Sequence, residues 1–222
     1  MDAIHEEKYR DLNIKIYQDE DPESPREWDN LGRMICWHRN YDLGDKHNYD
    51  EIPDFIYCLA EEAGVSFDDL ENRTTEELTL ILKSKGYRLK PLYLYDHSGI
   101  TISTAPFSCR WDSGQVGYIY VDPAMIRKEY GNSEDPEILK RVNTVLDGEV
   151  YIYDQYVRGN VYGFMITDQD GQDIDSCWGF YGDYEDKDGA LSEAHRVIDS
   201  LTNKGKTDHH GQHIAGFMKD VK

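Results

Sequence analysis

No apolar run in this 222-residue chain approaches the roughly 18–20 residues that a helix needs to cross a bilayer. The opening stretch, Met1 to Asp21, is acidic and has no apolar core of the kind a secretory leader carries. A soluble protein in the cytoplasm of a host cell is therefore expected, with no membrane partner. Cysteine is scarce and scattered: Cys36, Cys58, Cys109 and Cys177 form no C-x-x-C pair. That argues against a disulfide framework and a close-spaced zinc site, so four reduced thiols and no metal are expected. Basic residues are also in short supply, 24 Lys and Arg against 44 Asp and Glu, which leaves a formal net charge of −20. Such a field repels nucleic acid, anionic lipid and phosphate-rich substrates at long range. No direct contact with nucleic acid is expected.

What the chain has is aromatic and apolar material enough for a core. Hydrophobic residues make up 39% and aromatics 12% of the sequence, too many for a disordered chain of this charge. Seventeen tyrosines suit half-buried strand positions and contact surfaces alike. The surplus of acid has two readings. One is solubility; the other is attraction to basic surfaces, such as the nucleic-acid-binding channels of other proteins.

Alternation over Leu12 to Gln18 predicts a strand, and the proline-rich acidic stretch Asp19 to Gly32 a loop. Arg33 to His38 reads as a short buried strand. Ile52, Phe55, Ile56, Leu59 and Ala60 form a helical stripe that stops at Gly64. A second helix opens at a capping box, Thr74 with Glu77. Strands are expected at Leu89–Tyr95, Ile100–Thr104 and Val116–Val121, and helices from Pro123 to about Glu129 and from Pro136 to about Val157. Val161–Thr167 and Gln172–Tyr181 make a hairpin around Asp168–Gly171, and a last helix covers Ala190–Leu201. The order predicts an α+β fold with a mainly antiparallel sheet flanked by helices. A single domain over 1–203 is expected, with a helical insertion at 50–86 and a flexible tail over 204–222.

Candidate chemistry concentrates in the run PLYLYDHSGITISTAPFSCRWDSGQVGYIYV, Pro91 to Val121. Ordinary turns do not need Asp96, His97 and Ser98, then Cys109, Trp111 and Asp112, in such company. If the chain is an enzyme, Cys109 is the nucleophile with His97 as base, or Asp112 is a general acid or base. A tip-to-end contact of His97 with Cys109 is unfavourable, because a five-residue strand spans roughly 16 Å. Trp111 to Gln115 reads either as a turn that Gly114 completes or as a ligand loop beside an aromatic wall. Neither a nucleophile elbow nor a phosphate-binding glycine loop is present, and no cofactor is expected. Asp168-x-Asp170-Gly171-x-Asp173 reads as a turn rather than a calcium loop. His209, His210 and His213 belong to the tail.

Two acidic and aromatic clusters are candidate recognition surfaces: Asp19, Glu20, Asp21, Glu23, Glu27, Trp28 and Asp29; and Tyr181, Asp183, Tyr184, Glu185 and Asp186, with Asp188 close by. Carboxylates punctuated by aromatics can occupy a basic groove as DNA would. A solvated acidic loop is the plainer alternative for each. Trp111 and Asp112 are further binding candidates.

The runs Ser24 to Asp45, Pro91 to Val121 and DSCWGFYG at Asp175 to Gly182 resemble a family of acidic proteins encoded by phages, plasmids and integrative elements. The likeness covers most of the chain outside the helical insertion and the tail. It implies a mobile-element context and carries no catalytic residues with it. By analogy with acidic mobile-element proteins of this size, it implies an inhibitor of host defence, an anti-restriction or anti-CRISPR DNA mimic. The expected partner is a basic surface of a host protein such as a defence nuclease, and self-association into an oligomer stays open.

Overall fold

A computed structural model describes residues 2–131 and 134–207. In chain order the elements are β1 (His5–Tyr9), β2 (Leu12–Gln18), β3 (Arg33–Cys36), α1 (Ile52–Glu62), α2 (Phe67–Asn72), α3 (Thr75–Ser84), β4 (Arg88–Asp96) and β5 (Ile100–Ser103). There follow β6 (Ser113–Val121), α4 (Pro123–Tyr130), α5 (Pro136–Val157), β7 (Val161–Thr167), β8 (Asp173–Tyr181) and α6 (Ala190–Thr207). The class is α+β with wholly antiparallel strand pairing. The strands divide between two four-stranded sheets, and the chain divides into two compact units, one of 1–21 with 161–222 and one of 22–160. α6 runs six residues beyond its expected end; the tail from 208 on, with its three histidines, lies outside the described residues.

The first unit has strand order β1-β2-β7-β8. Ile14 and Ile16 of β2 and Phe164 and Ile166 of β7 alternate onto one face and are fully buried under α6. Ala190, Ala194 and Ile198, four residues apart, form the helix's buried stripe, and the two alanines let it lie close to the sheet. Glu7 and His195 tie β1 to α6 by a short hydrogen bond, and His5 Nε2 lies 3.4 Å from the other Glu7 oxygen. β8 is an edge strand whose first seven residues are all exposed, Ile174 and Trp178 among them. Its pairing with β7 is broken by two register shifts. The Trp178 ring lies where a side chain at Gly163 would stand, so that glycine makes room for the indole.

The second unit has strand order β3-β6-β4-β5, with helices on both faces. Met34, Leu92, Ile119 and Val121 turn to α5 and α4, meeting Val142, Leu146, Val150 and Ile126. Ile35, Leu89 and Tyr120 turn the other way, onto Phe55, Ile56, Leu59, Leu78 and Leu82 of the insertion. The Thr74–Glu77 capping box forms as its residues predict. Gly117 is required where β6 meets β3, since a Cβ there would stand 2.0 Å from the Ile35 carbonyl oxygen.

The acidic loop before β3 is not free coil. Arg26, its side chain 5% exposed, forks onto Asp45 with two bonds of 2.9 Å, reaches Glu149 of α5 at 3.1 Å, and donates to the Gly32 carbonyl. Glu149 also accepts the backbone amides of Leu31 and Gly32, and Asp45 accepts that of Met34. Burial alone would lower the Arg26 pKa, but the two carboxylates outweigh it and raise it.

Two outcomes follow. Arg26→Ala leaves two largely buried carboxylates without their cation and should cost about 3–5 kcal/mol in urea unfolding, with Arg26→Lys intermediate because it cannot fork. Burial pushes the Glu7 carboxyl up, but hydrogen bonds and charge from His195 and His5 leave it below its usual 4.5. Its stabilisation is therefore present above that value and lost as pH falls through the lowered one. Thermal melts from pH 6 down to pH 3 should converge for the parent chain and Glu7→Gln, and differ most at pH 6.

Candidate functional site

β4 runs out at Asp96, the chain turns through His97, Ser98 and Gly99, and β5 returns from Ile100. Ser98 sits in the left-handed region at φ 59°, a conformation rare for a residue with a side chain. β6 begins at Ser113, three residues before the expected Val116, and pairs Ser113 with Tyr95 and Gly114 with Leu94. The Asp96 amide donates to the Asp112 carbonyl at 2.8 Å. This longer pairing carries the loop after β5 back to the hairpin tip.

That return brings His97 and Cys109 to one carboxylate rather than to each other. The Cys109 thiol donates to Asp112 Oδ2 at 3.4 Å, and His97 Nδ1 lies 3.7 Å from the same oxygen. Ser113 Oγ donates to the Cys109 carbonyl and closes the corner. The order of groups decides the chemistry. A thiol is activated when an imidazole takes its proton and a carboxylate orients the imidazole. Here the carboxylate lies between the two and accepts the S–H itself, while the His97 side chain is 63% exposed. The three residues converge without forming a thiol–imidazole dyad.

Beside this corner an open groove of about 500 Å³ collects the ends of three strands, with Trp37 and Arg39 after β3, Asp96 of β4, and Trp111, Asp112 and Gln115 before and within β6. Trp111 is 96% exposed. Trp37 is held by its indole N–H on the Tyr49 carbonyl at 3.0 Å. The Tyr41 hydroxyl donates to Asp96 Oδ1 at 3.4 Å.

The predicted acidic clusters fare differently. Glu20, Asp21, Glu23, Glu27 and Asp29 are exposed with Trp28, whereas Asp19 is half-buried and its amide continues the β2–β7 ladder to the Val161 carbonyl. In the second cluster Asp183, Glu185 and Asp186 are exposed, but Tyr181 and Tyr184 are half-buried. Tyr184 packs edge-on against Tyr162, which makes it a rim residue of the core. Asp168 accepts the amides of Asp170 and Gln172 and so serves the turn. Among the described residues no group of three or more His, Cys, Asp or Glu side chains could hold a metal ion.

The most numerous group of acids lies outside both of these clusters. From Asp50 to Gly86 the insertion carries ten carboxylates against three bases, Lys83, Lys85 and Arg73, the last paired with Asp69 and Glu77. Eight of the ten residues are exposed, and Phe67 and Leu80 stand 68% and 65% exposed among them. A running charge count would have found it; the helical periodicity that located α1 and α3 drew attention to their apolar faces instead. Counted by unit, 22–160 holds 25 acids to 15 bases and the remainder 19 to 9. Each unit therefore carries half of the surplus, and neither is a neutral scaffold for the other.

Thiol chemistry separates the readings. Burial, with Asp45 adding to it and Arg26 opposing, pushes the Cys36 thiol up to about 12. Burial and Asp54 raise that of Cys58. Native-state alkylation at pH 8, read by mass spectrometry, should label exposed Cys177 first and Cys36 only on unfolding. Cys109 outpacing Cys177 would restore the thiol-enzyme reading.

Comparison of the chain with family models, curated proteins and solved structures finds no match.

Proposed function

We propose that this is a non-enzymatic acidic protein of a phage or other mobile element, which docks on a basic, nucleic-acid-binding surface of a host protein and blocks it. A defence nuclease of a restriction or CRISPR system is the class of target its charge suits. The observation that carries the reading is the insertion, where ten carboxylates to three bases meet two exposed apolar side chains. Carboxylates supply long-range attraction to a cationic groove, and Phe67 and Leu80 supply the desolvated contact that charge alone lacks. The exposed acids of the loop before β3 and of 183–188 add to the same field. The competing reading, a reaction with Asp112 as acid or base, has the groove in its favour and no activated thiol.

Immobilised on a support and offered an extract of its natural host, the chain should retain a basic protein that duplex DNA displaces. Raising salt from about 0.1 M to about 1 M, which shortens the screening length from about 10 Å to about 3 Å, should release it. Replacing Glu61, Glu62, Glu71 and Glu76 by Gln and Asp68 by Asn touches neither the capping box nor the Arg73 pairs. It should weaken retention about tenfold, equivalent to about 1.4 kcal/mol. Retention indifferent to both salt and DNA would overturn the proposal.

A further inference from the structure

Trp111 shows nearly all of its indole to solvent at the mouth of a groove that also holds two carboxylates, Asp96 and Asp112. Tryptophan is among the side chains enriched at the energetic centres of protein contacts, and its indole offers a large apolar face to a partner. Each carboxylate is half committed. Asp96 uses Oδ1 for the Tyr41 hydroxyl, and Asp112 uses Oδ2 for Cys109 and His97. Asp96 Oδ2 and Asp112 Oδ1 accept no hydrogen bond from the described residues. Arg39 lines the groove and Arg110 precedes Trp111, yet neither forms an ion pair with these acids among the described residues.

We propose that this groove receives one arginine side chain of the basic partner, its guanidinium stacked on Trp111 and its N–H groups donating to Asp96 and Asp112. The inference rests on the docking reading above and assigns its specific anchor. A guanidinium is planar, permanently charged and rich in donors, so it can lie on an indole face and fork onto carboxylate oxygens at once. An ammonium matches the charge but neither the plane nor the fork. With Arg39 in the lining, the groove keeps one net negative charge, which fits a single cation.

The probe is N-acetyl-arginine methylamide, titrated into the full chain while the Trp111 indole resonance is followed by NMR. The Trp111 signal should shift and saturate, and the matching lysine derivative should bind at least severalfold more weakly. Because Trp111 is exposed, Trp111→Ala should leave the spectrum of the core unchanged and weaken the probe by about 2- to 30-fold. Asp96→Asn with Asp112→Asn should abolish saturation. No Trp111 shift, equal binding of the lysine derivative, or tighter binding of guanosine would overturn the proposal. The charge-neutralised insertion variant separates the two readings. If it loses the host protein but still binds the arginine probe, both readings hold. If the probe never binds while retention stays salt- and DNA-sensitive, only the groove assignment falls.

Discussion

One buried guanidinium organises the unit of 22–160. Arg26 lies in a loop that composition marks as solvent-exposed, yet its side chain is almost wholly enclosed and bridges that loop to Asp45 and to α5 through Glu149. Every oxygen of the two carboxylates has a partner, either Arg26 or a backbone amide of residues 31–34. That completeness is what makes a buried ion network tolerable, since a charge left unpaired there would cost several kcal/mol. It also fixes the entry into β3, and β3 aligns Trp37 and Arg39 at the mouth of the groove.

The same network shows how charge is distributed in so acidic a chain. Asp45 and Glu149, like Asp154, whose carboxylate accepts the Ile102 amide at 2.8 Å, serve the interior. Burial raises the Asp154 pKa, with the Ile102 amide and Arg158 opposing. Most of the other described acids are exposed, where water screens them and they cost little fold stability. Surface acid is therefore free to vary with function, while the interior acids are fixed by geometry. The insertion illustrates this division: its apolar stripe covers one face of the sheet, and eight of its ten acids are exposed.

Much of the fold was legible in the sequence. Strand β2 and helix α5 match their expected bounds, because alternation and a proline-led stripe are strong local signals. β1 was hidden because HEEKY is polar at most positions and pairs at an edge, and α2 because FDDLEN has one buried residue and no room for a period. The site was less legible. That Cys109, His97 and Asp112 belong together was readable from their company in one segment. Their order was not, because it depends on where β6 starts, and Ser113-Gly114-Gln115 reads as a turn until Tyr95 and Leu94 pair with it. Arg26 gave no local signal, since its partners lie 19 and 123 residues away.

The unit that carries both ends of the described chain is assembled from segments 139 residues apart, and its two halves meet where Asp19 bonds to Val161. As the chain leaves a ribosome, 22–160 is contiguous and holds all of its own core partners. The β1–β2 ribbon emerges first but has no cover for Ile14 and Ile16 until β7 and α6 have been made. A two-stranded ribbon alone is barely stable, so its order waits on closure of that long loop, an entropic toll that grows only slowly with length. The inserted unit thus holds its core partners within one stretch of sequence, whereas the sheet of β1, β2, β7 and β8 needs both flanking segments before its core is covered.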